Sequence, residues 1–176
     1  MWKKISSKVI FQHSRITLIE DEVELPSGDK VSYLKYKGGG GAATVIARKG
    51  NKILLQKEYS YPPNKILLQF PGGSINTKKN LKTEANRELM EEAGYKAGKL
   101  ELVGKYLMNN RRSNTYMYVF VADKLVEDNL ESDLEEDIEN IWLKEEDVDE
   151  LIRSGEFENS HSLASWSLYK AHNRSS

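Results

Sequence analysis

A chain of 176 residues that is 39% hydrophobic and 30% charged has the composition of a folded, water-soluble protein, long enough to bury a sizeable core. Its net charge of −1 offers no basic field for nucleic acid or an anionic membrane as main partner, and the lack of cysteine excludes disulfide scaffolds, thiolate zinc sites and a cysteine nucleophile. The N-terminal stretch has no signal-peptide apolar segment and no run reaches transmembrane length, so the cytoplasm is the expected compartment.

Residues 9–37 read as an antiparallel β unit. Residues 15–25 alternate and are rich in β-branched side chains, Pro26-Ser27-Gly28-Asp29 supplies a turn, and alternation resumes over 31–36. Four glycines, Gly38 to Gly41, mark a break. The expected division is therefore a β unit of residues 1–40 and a main domain of 41–176. Residues 43–48 form a short buried-type strand, Lys49-Gly50-Asn51 turns it into 53–59, and 66–70 is another strand ending at Pro71-Gly72-Gly73. A helix is expected over 80–93, stopped by Gly94. Strands over 100–108 and 115–122 flank a polar loop, 109–114. An acidic stretch, 127–137, leads into a strand over 138–143, and two helices follow, over 145–154 and 160–171. This order predicts an α+β fold with a mixed sheet sandwiched by helices.

The informative stretch is residues 73–95, GSINTKKNLKTEANRELMEEAGY. At about 100° per residue, Leu81, Ala85, Leu89 and Ala93 form an apolar stripe, with Glu84, Glu88, Glu91 and Glu92 beside it. Like charges four residues apart repel by roughly 0.2–0.5 kcal/mol per pair, and the helix dipole disfavours anions in the second half. Only Arg87 offers a cation inside the cluster. A hard divalent cation, which takes oxygen ligands, resolves that conflict. Gly72 and Gly73 allow the backbone to approach an ion and a phosphate, and a carbonyl there could complete the coordination. A solvated acidic face is the rival reading for any such run. Here the glycine turn, Arg-Glu, Glu-Glu and closing glycine occur together at fixed offsets.

Those offsets resemble the Nudix box: Gly, five residues, Glu, seven residues, then Arg-Glu-U-x-Glu-Glu-x-Gly-U, where U is bulky and apolar. Gly73, Arg87, Glu88, Leu89, Glu91, Glu92, Gly94 and Tyr95 fall on that template. One position departs, with Lys79 where the first glutamate stands, and Lys79 could contact a phosphate instead. Residues 53–73, ILLQKEYSYPPNKILLQFPGG, and the N-terminal segment ending ELPSGDKVSY are similar to the ADP-ribose pyrophosphatase branch. The likeness runs from about residue 15 to residue 169. Ser60 and Gln69 depart from it, standing where arginine and glutamate are frequent.

The resemblance implies a Nudix α/β/α sandwich preceded by the small β unit. It also implies hydrolysis of the diphosphate of a nucleoside diphosphate-sugar, and a homodimer formed through the N-terminal unit. Mg2+ is the expected cofactor, with Mn2+ an alternative, since both accept carboxylate oxygens. Gly72, Glu88, Glu91 and Glu92 are the expected metal ligands. A general base is expected from the acidic loop before residue 138, Glu136 first and Glu135 second, although one register places Leu134 there. Lys57, Tyr59, Arg111 and Arg112 are candidates for substrate binding, the arginines through phosphate oxygens and Tyr59 by stacking. His13, His161 and His172 are scattered in sequence and suggest no histidine metal site. Trp142, Leu163 and Trp166 read as core. Two rivals remain: a Nudix-fold module that holds a nucleotide without hydrolysing it, for which Lys79 speaks, and an enzyme acting on a nucleoside triphosphate or capped RNA.

Overall fold

The computed structural model describes residues 1–38, 40–128, 130 and 138–174. The chain divides into two compact units, Met1–Gly39 with Leu107–Thr115, and Gly40–Tyr106 with Tyr116–Ser176. The excursion 107–115 joins the first unit, a long-range association that a linear division at residue 40 does not contain.

The first unit is a three-stranded antiparallel sheet of β1 (Lys3–Gln12), β2 (Thr17–Glu24) and β3 (Lys30–Tyr36) in that order. Strand β1 begins six residues before the expected start because KKISSK has no apolar period. All ten of its residues are exposed, so no core face imposes one. Asp21 is buried but answered by Lys35 Nζ at 2.5 Å and by Ser7 Oγ, which donates at 2.6 Å. A buried charge with such partners avoids most of its desolvation cost.

The second unit holds β4 (Gly41–Lys49), β5 (Lys52–Ser60), β6 (Lys65–Gln69), β7 (Ser74–Ile75), α1 (Leu81–Ala93), β8 (Tyr95–Leu107), β9 (Tyr116–Glu127), β10 (Ile138–Lys144), α2 (Glu145–Ser154) and α3 (Ser160–Asn173). The strand order is β10-β5-β4-β9-β8, with β6 on β5 and β7 on β4. The β4–β9 pair is parallel while β4–β5, β5–β6 and β5–β10 are antiparallel, so the sheet is mixed as expected.

Strand alternation sorts the layers. Ala43, Val45 and Ala47 of β4 pack with Ala85, Leu89 and Ala93, the predicted apolar stripe of α1. Arg48, on the opposite face, makes a bidentate bond to Asp123 at 2.9 and 2.7 Å and lies 5.9 Å over the ring of Tyr169 in α3. Helices therefore cover both faces of the sheet. Trp166 is buried, and Trp142 packs edge-on against Tyr95 at the core.

Helix α1 starts where Asn80 Oδ1 accepts the N–H groups of Lys82 and Thr83 at 3.0 and 3.3 Å. Such a cap stabilises by about 1 kcal/mol. It ends where Gly94 turns left-handed at φ 74°, donating to Leu89 and Met90 carbonyls.

Helices α2 and α3 are joined by polar contacts. Glu145 accepts from Tyr169 Oη at 3.0 Å and Lys170 Nζ at 2.8 Å, and Asp149 accepts from Trp166 Nε1 at 2.8 Å and Lys170 Nζ at 3.0 Å. Burial pushes the Asp149 carboxyl up, but Trp166 and Lys170 outweigh it and hold the group below the usual aspartate range. A lowered folded-state value gives stability that is complete above the unfolded value and is lost as pH falls through the folded one. We expect Tm to fall on acidification through that range, and the acid limb of a Tm–pH profile to flatten in Asp149→Asn.

Candidate active site

The site grows from the segment that links β6 to α1. Ala43 N–H donates to Gly73 O at 2.9 Å and Val45 N–H to Pro71 O at 2.8 Å. Those flanking carbonyls are both taken up by β4. Gly72 has φ 151°, and a Cβ there would fall on the Ala43 carbonyl oxygen. At Gly73 a Cβ would fall on a carboxylate oxygen of Glu88. The glycine pair therefore lets the loop backbone lie against the carboxylates of α1.

Those carboxylates are organised by the loop and by Arg87. Gly72 N–H donates to Glu92 Oε2 at 2.8 Å. Arg87 bonds Glu91 through Nη1 and Glu88 through Nη2, and Nη2 also donates to Ser74 O at 3.3 Å. Burial works against the Arg87 charge, but Glu88 and Glu91 outweigh it and hold the guanidinium above its usual value. Glu88 is 7% exposed, a degree of burial that a merely solvated acidic face would not show.

Glu84 behaves differently from the other three. It is 6% exposed and accepts the Asn76 N–H at 3.2 Å, which is the largest cause of its carboxyl lying below the usual range. Lys79 Nζ stands 3.6 Å from Glu84 Oε1 and Arg87 Nη2 stands 3.9 Å from Oε2. Lys79, the residue that departs from the box, is thus paired with a carboxylate one turn into the helix. Glu84 ties the 73–79 loop to α1.

An open cavity of about 570 Å³ lies at the C-terminal end of α1, lined by Glu91, Glu92, Tyr95, Glu127, Asp128 and Asn140 among others. Among the described residues, no three acidic or histidine side chains are gathered closely enough to share one ion. Arg87 holds Glu88 and Glu91, and the Gly72 N–H holds Glu92.

The other expected site residues are dispersed. Lys57 and Tyr59 lie on β5, whose Leu54 and Gln56 face α1, so their side chains leave the sheet on the opposite face. There Lys57 Nζ bonds both Glu139 carboxylate oxygens at 3.1 and 3.2 Å, and Tyr59 Oη donates to Asn64 at 2.8 Å. Arg111 and Arg112 belong to the first unit. Arg112 donates to Leu34 O at 2.9 Å and lies 5.6 Å over the Tyr33 ring, while the Arg111 carbonyl accepts from Tyr33 Oη at 2.5 Å. Leu134, Glu135 and Glu136 lie outside the described residues.

Two residues at the site were not anticipated. Gln56 is fully buried in β5, and Asn140 faces it from β10; both donate to carbonyls at the end of α1. A glutamine inside the strand run ILLQ is the signal that could have drawn attention to it.

The sequence model of the NUDIX domain matches residues 39–165. The chain belongs to the Nudix family. It is a Nudix pyrophosphohydrolase, similar in sequence to ADP-ribose pyrophosphatases. It is 29% identical over 156 residues to the ADP-ribose pyrophosphatase of Bacillus subtilis, covering 88% of this chain and 84% of that protein. It is 27% identical to the methanol dehydrogenase activator of Bacillus methanolicus, over 86% of this chain and 81% of that one. It is 23% identical to a CMP-5'-(N-acetyl-N-hydroxy-3-aminopropyl)phosphonate hydrolase of Streptomyces rubellomurinus, over 88% and 75%. Its fold matches the crystal structure of an ADP compounds hydrolase with a TM-score of 0.90 at 20% identity, over 97% of this chain and 92% of that one. Within this Nudix chain the box therefore coincides with the Gly72–Gly73 turn and α1. Among the described residues no helix is long and apolar enough to cross a membrane.

Proposed function

We propose that this Nudix chain hydrolyses the diphosphate linkage of a nucleoside diphosphate-sugar such as ADP-ribose, in the presence of Mg2+ or Mn2+, giving a nucleoside monophosphate and a sugar phosphate. The observation that carries this reading is the packing of Glu88 and Glu92 against the Gly72–Gly73 backbone, with Glu91 beside them at the mouth of a cavity. The donors available, the Glu88, Glu91 and Glu92 carboxylates and the Gly72 carbonyl, are all oxygen, which is the chemistry a hard divalent cation takes, and ligation of one ion would require the carboxylates to draw together from their present hydrogen bonds. A side chain at Gly73 would collide with Glu88, so glycine there lets that carboxylate lie against the loop backbone. The likeness to an ADP-ribose pyrophosphatase, over 88% of this chain and 84% of that one, favours the sugar-linked diphosphate over a triphosphate.

When bound, the cation would neutralise phosphate charge and supply an activated water. The protein's own work is to present the ligands and to manage their charge. Arg87 neutralises Glu88 and Glu91, and a cation bound by those carboxylates would take over that neutralisation. A guanidinium beside the site suits a phosphate oxygen. Glu136, or Glu135 beside it, is our assignment for the general base. Arg111 and Arg112 are assigned to phosphate or sugar recognition, with Arg111 the better candidate, because Arg112 is already bonded to Leu34 O. Lys57 and Tyr59 are kept as candidates for substrate contact, from the face of β5 opposite the α1 carboxylates.

A panel of nucleoside diphosphate-sugars and dinucleotides with Mg2+, with products identified by mass, tests the substrate class. A cut between the two phosphorus atoms of a nucleotide sugar is expected. A cut elsewhere, or turnover of triphosphates alone, contradicts the reading.

A second reading is a nucleotide-binding module without turnover, favoured by Lys79 in the box and by the hold of Arg87 on two of the carboxylates. Tight nucleotide binding with intact nucleotide recovered under Mg2+ would select it.

The reading includes a homodimer through the N-terminal sheet. Phe11, Leu18 and Tyr36 stand in register across β1, β2 and β3, and Phe11 is 51% and Tyr36 38% exposed. An exposed apolar row of this kind is a usual mark of an interface. Light scattering should give twice the chain mass for the wild type and the single mass for Phe11→Glu; a wild-type monomer would contradict it.

A further inference from the structure

Gln56 sits in an otherwise apolar stretch of β5, at 0% exposure. Its Nε2 donates to the Glu92 carbonyl at 3.2 Å and to Asn140 Oδ1 at 3.2 Å. Its Oε1 is buried with no hydrogen-bond partner among the described residues. Asn140 is directly opposite Gln56 in the β5–β10 register, and its Nδ2 reaches the carbonyls of Glu92 and Ala93 at 3.4 and 3.5 Å. Two amides from neighbouring strands thus converge on the last carbonyls of α1.

The helix needs them there. The last four carbonyls of an α-helix have no intrahelical donor. In α1 the last turn carries no basic residue, and Glu88, Glu91 and Glu92 add negative charge to the negative end of the dipole. Gly94 N–H answers Leu89 and Met90, and the amide pair answers Glu92 and Ala93. A lysine or arginine would do this too, but would also compete for the carboxylates. An amide donates without bringing a charge.

The arrangement is a poor choice for stability alone. Leaving an acceptor such as Gln56 Oε1 buried and unpaired is destabilising, and an apolar side chain would fill the position without that loss. The same pair fixes the backbone of Glu92, whose side chain is held from the other side by Gly72 N–H.

We propose that Gln56 and Asn140 form an amide clamp that positions the last turn of α1, and with it Glu91 and Glu92, for divalent cation binding. They are positioning residues that act through the helix backbone. The assignment rests on the cation site of the preceding subsection, and its test separates the two.

Mn2+ titration of the whole protein, followed calorimetrically and paired with Tm in EDTA, is the experiment. Gln56→Met keeps the volume while deleting both the donor and the unpaired acceptor. It should keep or raise Tm in EDTA and weaken Mn2+ binding by roughly 10–100-fold, as losses of groups that orient metal ligands do. Asn140 is exposed, so Asn140→Ala should fold whatever happens to Gln56→Met. It should also weaken Mn2+ binding, and the double variant should be no weaker than the worse single one, since the two amides act as one unit. Wild-type Mn2+ affinity retained in either folded variant, or a fall in affinity only in step with Tm, overturns the clamp. A wild type that binds no Mn2+ overturns the cation site itself.

Discussion

Hydrolysis of ADP-ribose by Glu92→Gln should fall by roughly 10²- to 10³-fold at saturating Mg2+, a loss of the size seen when one group that stabilises transition-state charge is removed. The fold should survive. Glu92 Oε2 accepts the Gly72 N–H at 2.8 Å, and a glutamine oxygen can take over that bond. Removing one charge also relieves the repulsion with Glu88 one turn away, worth roughly 0.2–0.5 kcal/mol. In EDTA the variant should therefore melt at or slightly above the wild-type temperature. The rise in Tm that saturating Mg2+ gives the wild type by binding only the folded state should be absent. Thermal melts with and without Mg2+, beside steady-state rates, check all three. A variant that keeps its rate within a few-fold removes Glu92 from the ligand set.

Gly72→Ala acts on the same site through the backbone. At φ 151° an L side chain is strained, and the added Cβ meets the carbonyl of Ala43, a main-chain group in the buried part of a central strand that cannot swing away. Overpacking costs about 1–3 kcal/mol and the unfavourable backbone about 1–3 kcal/mol more, so the sum is about 4 kcal/mol. For a chain of this length, that lowers Tm by roughly 10 °C. Any folded fraction should also hydrolyse poorly, because Gly72 carries both the N–H that fixes Glu92 and the carbonyl assigned to the cation. Gly50→Ala is the control. It too has positive φ, 64°, but its Cβ would meet nothing within 4 Å, so it should lose only about 1–2 kcal/mol and keep its activity. Equal losses at the two positions would show that φ rather than the close approach to β4 governs the cost.

The elements whose signals are local were the most legible. Asn80 and Gly94 bound α1 because their caps are written in adjacent residues, and the stripe Leu81, Ala85, Leu89, Ala93 is the face that packs on β4. The two C-terminal helices also start where expected: Asn159 caps α3 by accepting the Ser162 N–H, while at the start of α2 the Asp147 carboxylate accepts the Lys144 N–H. Strand β1 was legible only in part, since a strand with no buried face carries no period-two pattern. The association of 107–115 with the N-terminal sheet depends on pairings such as Tyr36 N–H to Arg112 O at 2.8 Å, which no local signal encodes. In the site, the spacing of Glu88, Glu91 and Glu92 showed which residues share a helix face. It could not show that Glu84 turns back to the loop and Lys79, because that depends on where the 73–79 segment runs. Nor could it separate Lys57 and Tyr59 from the carboxylates, since the face a strand residue takes is fixed by the register of the whole sheet.

The most direct test starts from protein stripped of metal with EDTA and dialysed, mixed with ADP-ribose, and then given Mg2+. No product before the addition, with AMP and ribose 5-phosphate appearing in equal amounts after it, is the expected result. Equal product formation with and without metal, or nucleotide that stays bound and intact once Mg2+ is present, would contradict a cation-dependent diphosphate hydrolase built on the α1 carboxylates.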